Sequence, residues 1–151
     1  MTLKETIVLD FTRAFKAGET QRKDTLSLIK GAIQNKEIEK GKKEEGLTDE
    51  EVREVLSAEA KKRRDAIVEY EKAGRDEQAQ KETEELGIIE SYLPPQMSQE
   101  EVRSELEKIV SDTGAQGLND LGKVMGSAMQ KMKGRADGSI VREELERILQ
   151  K

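Results

Sequence analysis

Apolar residues recur at intervals of three and four positions along nearly the whole chain of 151 residues. This spacing places them on one side of an α-helix, because an α-helix has about 3.6 residues per turn. The chain has only two prolines, and they are adjacent, at Pro94 and Pro95. The pattern therefore predicts an all-α protein.

Seven helices are predicted, each with an apolar stripe. The stripes of the first four helices are Leu3, Ile7, Phe11, Ala14 and Phe15; Leu26, Ile29, Ile33 and Ile38; Val52, Val55, Leu56, Ala66, Ile67 and Tyr70; and Ala79, Leu86, Ile89 and Leu93. Those of the last three are Val102, Leu106, Ile109 and Val110; Leu118, Leu121, Val124, Met125, Ala128 and Met132; and Val141, Leu145, Ile148 and Leu149. Leu, Ile, Val and Phe total 33 residues, just above the roughly 20% below which disorder is expected. We therefore expect a thin core.

Capping residues mark where helices begin. Thr48 is followed three positions later by Glu51, and Ser98 is followed at the same spacing by Glu101. In such a capping box each side chain satisfies a free backbone N–H of the other residue. Asp76 is in turn placed to cap the fourth helix.

The adjacent prolines divide the chain. Two successive residues without N–H donors cannot lie inside a helix. We therefore predict an N-terminal domain of long, mostly antiparallel helices at 1–93, a linker at 94–97 and a small three-helix domain at 98–151.

The absence of Cys and His excludes several kinds of chemistry. A disulfide, a thiolate nucleophile, an imidazole base and a His-ligated zinc site are all impossible. Phosphate-binding loops of the GxxxxGK[ST] and GxGxxG types are also absent. We expect no cofactor, no metal and no catalytic residue, although an enzyme built on carboxylates or Lys is not refuted.

The sequence predicts a cytoplasmic protein without a membrane partner. Its longest apolar run is three residues, Ile7, Val8 and Leu9, whereas a bilayer requires about 20. The first residues also lack the pattern of a signal peptide.

One stretch reverses the acidic charge of the chain. The net charge is −5, but residues 121–136, LGKVMGSAMQKMKGRA, contain no acidic residue. Their basic side chains are Lys123, Lys131, Lys133 and Arg135. A local positive field is typical of phosphate binding, although basic residues near a helix C-terminus also complement its macrodipole.

Glycines in and after this stretch suggest structural roles. Gly122 and Gly126 lie one turn apart in the same helix, and each costs about 1 kcal/mol relative to Ala. Either a neighbouring helix packs closely against them, which we favour, or a ligand backbone approaches them. Gly134 suits a left-handed cap, and Asp137 with Gly138 suits a turn before the last helix.

Two other charged features are the last helix and the pair Glu59 and Arg63. The last helix mixes Arg142 and Arg147 with three glutamates, which would repel DNA, so we expect no DNA binding. Glu59 and Arg63, which we expect to pair, fall where the apolar stripe of the third helix should continue. We interpret this as the helix extending beyond the core, with a partner site as the alternative.

The chain resembles the YqeY family of small bacterial proteins. The resemblance covers nearly the whole chain in order, and YLP, GKVMG and KGRADG are its most specific elements. The stretches that carry it are LIKGAIQNKEIE (28–39), LTDEEVREVLSAEAKKRRDAIVEYEKAGR (47–75), IIESYLPPQMSQEEV (88–102) and GLNDLGKVMGSAMQKMKGRADGSIV (117–141). The resemblance implies an N-terminal helical part followed by a small helical C-terminal domain.

The same domain is similar to the tail of the GatB subunit of a glutamine-dependent tRNA amidotransferase. That tail contacts tRNA, whereas the chemistry belongs to other domains. The resemblance therefore implies a non-catalytic, tRNA-associated accessory module, with Lys123, Lys133 and Arg135 in family motifs.

Two alternatives remain open. The chain could be a helical adaptor that docks on an aminoacyl-tRNA synthetase or an amidotransferase without binding RNA. An intrinsic carbon–nitrogen ligase, with glutamine as amido donor, is the least favoured because His, Cys and nucleotide motifs are missing.

Overall fold

The structure is a computed structural model, and it describes residues 1–150. Its helices are α1 (Leu3–Ala17), α2 (Thr20–Glu39), α3 (Asp49–Lys72), α4 (Asp76–Glu90), α5 (Gln99–Thr113), α6 (Leu121–Met132) and α7 (Gly138–Leu149), with a 3-10 turn at Leu118–Asp120. The described residues contain no strand, so the prediction of an all-α protein is confirmed. The finer arrangement, with antiparallel N-terminal helices before a three-helix domain, remains a prediction.

The chain divides into two compact units, Met1–Leu93 and the part from Pro94 onward. The three-part division with a separate linker at 94–97 remains a prediction. None of the helices in the described part of the chain is both long enough and apolar enough to cross a bilayer.

The first unit packs α3 most extensively against α4, and α1 against α2. Its core consists of Ile7, Ala14, Leu26, Ile29, Ile33, Leu47, Val52, Val55, Leu56, Ala60, Ile89 and Leu93. The prediction that Phe15 and Ile38 belong to the apolar stripes of the core is wrong, because these residues are 65% and 64% exposed. Both lie in the last turn of their helices, where no neighbouring helix covers them.

The buried side of α3 continues through a charged residue. Arg63 is only 8% exposed, and its Nη1 lies 3.3 Å from Glu59 Oε2. Its Nε lies 3.6 Å from Glu85 Oε2 on α4. The predicted pairing of Glu59 with Arg63 is therefore confirmed. The interpretation that α3 extends beyond the core at this position is wrong, since α4 covers it.

Capping explains most helix starts. At Thr48 and Glu51 the predicted reciprocal box is present. At Ser98 only half of the predicted box is present, because Ser98 Oγ accepts the N–H of Glu101 but no reciprocal bond forms. Asp76 is not a cap, because it is the first helical residue and α4 has no side-chain cap. A further box at Thr2 and Glu5 begins α1, although the sequence analysis did not identify it.

Tyr92 links the segment after α4 to α1 in the first unit. The Tyr92 hydroxyl, just after α4, donates to Asp10 Oδ2 on α1 at 2.6 Å. Burial and this bond to Asp10 raise the pKa of Tyr92, so the side chain stays a neutral donor. The tyrosine of the YLP motif therefore has a packing role.

The second unit has its own core, formed where α5, α6 and α7 contact one another. The buried residues are Val102, Leu106, Ile109, Val124, Ala128, Met132, Val141, Leu145 and Leu149. Beside them Glu144 is only 2% exposed. Its carboxylate accepts hydrogen bonds from Gln99 and Arg103 of α5 and from Arg147 of α7, so a buried charge joins two helices.

We expect Glu144→Gln to lower the free energy of unfolding of this unit by about 1–2 kcal/mol at neutral pH, since Arg103 and Arg147 lose a charged acceptor but are half-exposed to water. The bond from Gln99, together with Arg103 and Arg147, lowers the pKa of Glu144. Its contribution is therefore present above the unfolded-state pKa of about 4.3. It is lost as the pH falls through the lower folded-state value.

Urea unfolding followed by the NMR amide signals of α5 and α7 measures both effects. Glu143→Gln is the matched control, because Glu143 is the exposed neighbour and its substitution is expected to change stability by less than about 0.5 kcal/mol. Parallel pH profiles for the wild type and Glu144→Gln would contradict the assignment.

Candidate nucleic-acid interface

The exposed side of α6 has neither apolar nor acidic side chains. It consists of Gly122, Lys123, Gly126, Ser127, Gln130 and Lys131, of which Ser127 is half-buried. The opposite side contributes Val124, Ala128 and Met132 to the core. Since each residue advances the helix by 1.5 Å, Lys123 and Lys131 lie about 12 Å apart along its axis. We call this surface the α6 face.

The two glycines of the α6 face are open to solvent. A Cβ atom added at Gly122 or Gly126 would meet nothing within 4 Å. The favoured prediction, that a neighbouring helix packs closely against them, is therefore wrong. The physical reason is that α6 turns its other side toward α5 and α7. The approach of a ligand backbone remains the alternative.

The positions of the lysines distinguish phosphate binding from simple stabilisation of the helix macrodipole as the reason for the basic charge. Lys131 lies in the last turn of α6, where a cation complements the helix macrodipole. Lys123 is the third residue of α6, at the positive end, where the macrodipole opposes a cation. Helix stabilisation therefore does not account for Lys123.

The basic residues here differ from the paired arginines of α5 and α7. Lys123, Lys131, Lys133 and Arg135 are all exposed. Within residues 1–150, no carboxylate lies within ion-pair distance of Lys123, Lys131 or Arg135. Their charge is therefore available to an external anion.

The turn after α6 holds the other two basic residues. Lys133 is the C-cap with extended backbone, and Gly134 has a φ of 80°, a left-handed geometry that favours glycine. The N–H of Met97 donates to Arg135 O at 2.8 Å, and Gln96 Nε2 donates to Gly134 O at 2.9 Å. Residues just after the prolines therefore anchor this turn.

Gln96 and Met97 were not among the predicted site residues. Their partners lie 38 positions away in the chain, so no local pattern could reveal them. At the far end of the turn, Asp137 caps α7 by accepting the N–H of Ser139 at 2.8 Å. Gly138 is the first residue of α7 rather than part of a turn.

Comparison with protein families matches nearly the whole chain to one family. Residues 4–149 match the family model described as "Yqey-like protein". The chain belongs to the YqeY-like family. The family match spans both compact units and includes every residue of the α6 face.

Curated relatives of this YqeY-like chain come from yeasts. Proteins named "Altered inheritance of mitochondria protein 41, mitochondrial" from Kluyveromyces lactis and Vanderwaltozyma polyspora are 31% and 30% identical to it over 105 residues. Each alignment covers 68% of the chain but 56% of the relative. The protein of that name from Clavispora lusitaniae is 29% identical over 119 residues, covering 78% of the chain and 68% of the relative. The chain thus spans a little over half the length of two of these relatives.

These names correct one expectation. All three relatives are named as mitochondrial proteins, which contradicts the predicted cytoplasmic location. That prediction relied on the absence of apolar runs and of a signal-peptide pattern, and neither feature distinguishes between internal compartments.

The open glycines of the α6 face generate a stability prediction. We expect Gly126→Ala to raise the free energy of unfolding by about 0.5–1 kcal/mol, because alanine restricts the unfolded chain and meets no obstacle in the helix. Urea unfolding measures this change. Gly134→Ala is the contrasting variant, and it should destabilise because of its left-handed backbone. A loss of stability in Gly126→Ala would show that this face is packed after all.

Proposed function

We propose that this YqeY-like chain is a non-catalytic accessory module that binds tRNA, with the α6 face against the phosphate backbone. Lys123 and Lys131 contact phosphates from α6, and Lys133 and Arg135 do so from the anchored turn. No cofactor, metal or catalytic residue is part of the proposal.

The main support is that two exposed glycines and an unpaired cation occur together on α6. The cation, Lys123, lies in the first turn, where the helix macrodipole disfavours a positive charge. Gly122 and Gly126 weaken α6 without improving its packing, and Lys123 opposes the macrodipole. A polyanion that approaches closely accounts for both features. The missing side chains let its backbone near the helix, and Lys123 meets a phosphate there.

The choice of tRNA among anionic ligands comes from the resemblance of this domain to the GatB tail. The mixed charge of α7, where Arg142 and Arg147 pair with glutamates, disfavours insertion into a DNA groove. The phosphate contacts position an RNA of suitable shape without reading its sequence.

A salt-dependent titration of labelled tRNA tests the proposal. Three or four phosphate contacts give a slope of log K against log salt on the order of −2 to −4. Changing Lys123, Lys131, Lys133 and Arg135 to Glu should abolish binding. Equally weak binding by the wild type and the variant at low salt would refute the proposal.

The matched control changes four exposed basic residues of the first unit to Glu: Lys16, Lys43, Lys72 and Arg75. This variant has the same net charge as the first and should keep most of the affinity. If both variants lose binding equally, the attraction is a property of net charge rather than of the α6 face.

Gly126→Ala separates binding from folding. A methyl group on the α6 face should weaken tRNA binding by about threefold or more, because the phosphate backbone can no longer approach as closely. The same variant is expected to be more stable, so loss of folding cannot explain the weaker binding. Unchanged affinity would contradict the proposal, because it would show that the phosphate backbone does not approach α6 closely.

A further inference from the structure

A long open groove runs between α2 and α3 of the first unit and reaches α4 at one end. Its larger part has a volume of about 650 Å³ and extends from Leu28 on α2 to Ala66 on α3 and Glu82 on α4. Its smaller part, about 290 Å³, continues to Glu39 on α2 and Glu54 on α3. The two parts share Ala32, Asn35, Glu59 and Lys62. We call this continuous feature the α2–α3 trough.

The dimensions of the trough match a helix. From Leu28 to Glu39 the rim on α2 covers 11 residue steps, or about 16 Å, which is three helical turns. Small side chains keep the trough open, notably Gly31, Ala32 and Ala58. The apolar lining is limited to small side chains, Leu28 and Val55, and charged residues surround it. Amphipathic helices bind grooves through apolar anchors spaced one turn apart.

An exposed apolar side chain stands at one end of the trough. Leu28 is 55% exposed, on the side of α2 opposite the core residues Ile29 and Ile33. Val55, at the other end, is a core residue that also lines the trough. Exposed apolar surface is therefore available for a partner mainly at the Leu28 end.

The charges of the trough favour a basic occupant. Five acidic residues line it, Glu39, Glu54, Glu59, Glu82 and Glu85, against the basic residues Lys36, Lys62 and Arg63. These cations already contact Glu39, Glu59 and Glu85. Glu82 forms no ion pair within the described residues. The Glu82 carboxylate is therefore available to a cation from outside the chain.

The Glu85 carboxylate at the floor of the trough has unused hydrogen-bonding capacity. Its Oε2 lies 3.6 Å from Arg63 Nε, which is too long for a hydrogen bond. Burial and the neighbouring charge of Glu82 raise the pKa of Glu85. A side chain with several N–H donors near Glu82 and Glu85 would satisfy this pair of carboxylates.

We propose that the α2–α3 trough binds an amphipathic helix of a partner protein, with aliphatic anchors along the trough and a lysine or arginine against Glu82 and Glu85. This surface is distinct from the α6 face and belongs to the other compact unit. The binding of tRNA and of the partner helix are therefore separable.

Two synthetic helical peptides of equal length test the trough. They share an apolar face of Leu and Ala, and their polar faces carry only Lys or only Glu. We expect the Lys peptide to bind the full chain at least about tenfold more tightly than the Glu peptide, a difference of ~1.4 kcal/mol. Fluorescence anisotropy measures the affinities, and NMR amide shifts should be confined to α2, α3 and α4.

Matched variants locate the site. Gly31→Trp should fill the trough and weaken binding of the Lys peptide about tenfold. A Cβ at Gly31 would meet nothing within 4 Å, so we expect the variant to fold, and its circular dichroism spectrum and urea unfolding check this. Gly87→Trp is its control, at an equally open glycine outside the trough. Glu82→Lys should weaken binding to a similar extent, whereas Glu71→Lys, an exposed residue outside the trough, should leave affinity within about twofold.

Several outcomes would overturn the proposal. These are absent binding of the Lys peptide, equal affinity for both peptides, full retention of binding in Gly31→Trp and Glu82→Lys, and amide shifts outside the three helices. Loss of tRNA binding in Gly31→Trp would assign the trough to RNA. Self-association that Gly31→Trp abolishes would assign it to a second copy of the chain.

Discussion

Both compact units complete a thin apolar core with buried charged side chains. In the first unit Arg63 of α3 pairs with Glu59 of the same helix and with Glu85 of α4. Glu37 of α2 accepts a 2.7 Å hydrogen bond from Lys4 of α1. In the second unit Glu144 joins α5 to α7. A buried charge is tolerated only when it is paired and hydrogen-bonded. These contacts link neighbouring helices beside each core, while Leu, Ile and Val supply most of the apolar burial.

Because the core uses only one side of α6 and of α2, the solvent-facing sides of these helices are available for binding. On α6 the core uses one side, and the other side presents glycines and lysines that contribute nothing to packing. On α2 the core uses Ile29 and Ile33, and the other side presents Leu28 and Gly31 to the trough. The two faces have opposite charge, which suits them to different partners.

Local sequence predicted the helices well because their signals are local. Apolar spacing and the box at Thr48 and Glu51 depend only on residues within one or two turns, and the structure has both. Asp76 had the right residue type for a cap, but the chain enters α4 one residue earlier. The basic residues of the candidate site could also be predicted, because they lie within one short stretch that has no acidic residue. Their anchoring by Gln96 and Met97 could not, since it joins segments far apart in the chain.

The all-α class, the helix limits to within a few residues and the reversal of charge in residues 121–136 all follow from local sequence. Which polar residues are buried and which glycines are open depends instead on how the helices pack. Arg63 had the sequence pattern of a helix leaving the core, yet α4 covers it. Gly122 and Gly126 had the pattern of close helix packing, yet α6 turns them to solvent. The reason is that burial depends on where neighbouring helices lie, and the periodicity of a single helix does not contain that information.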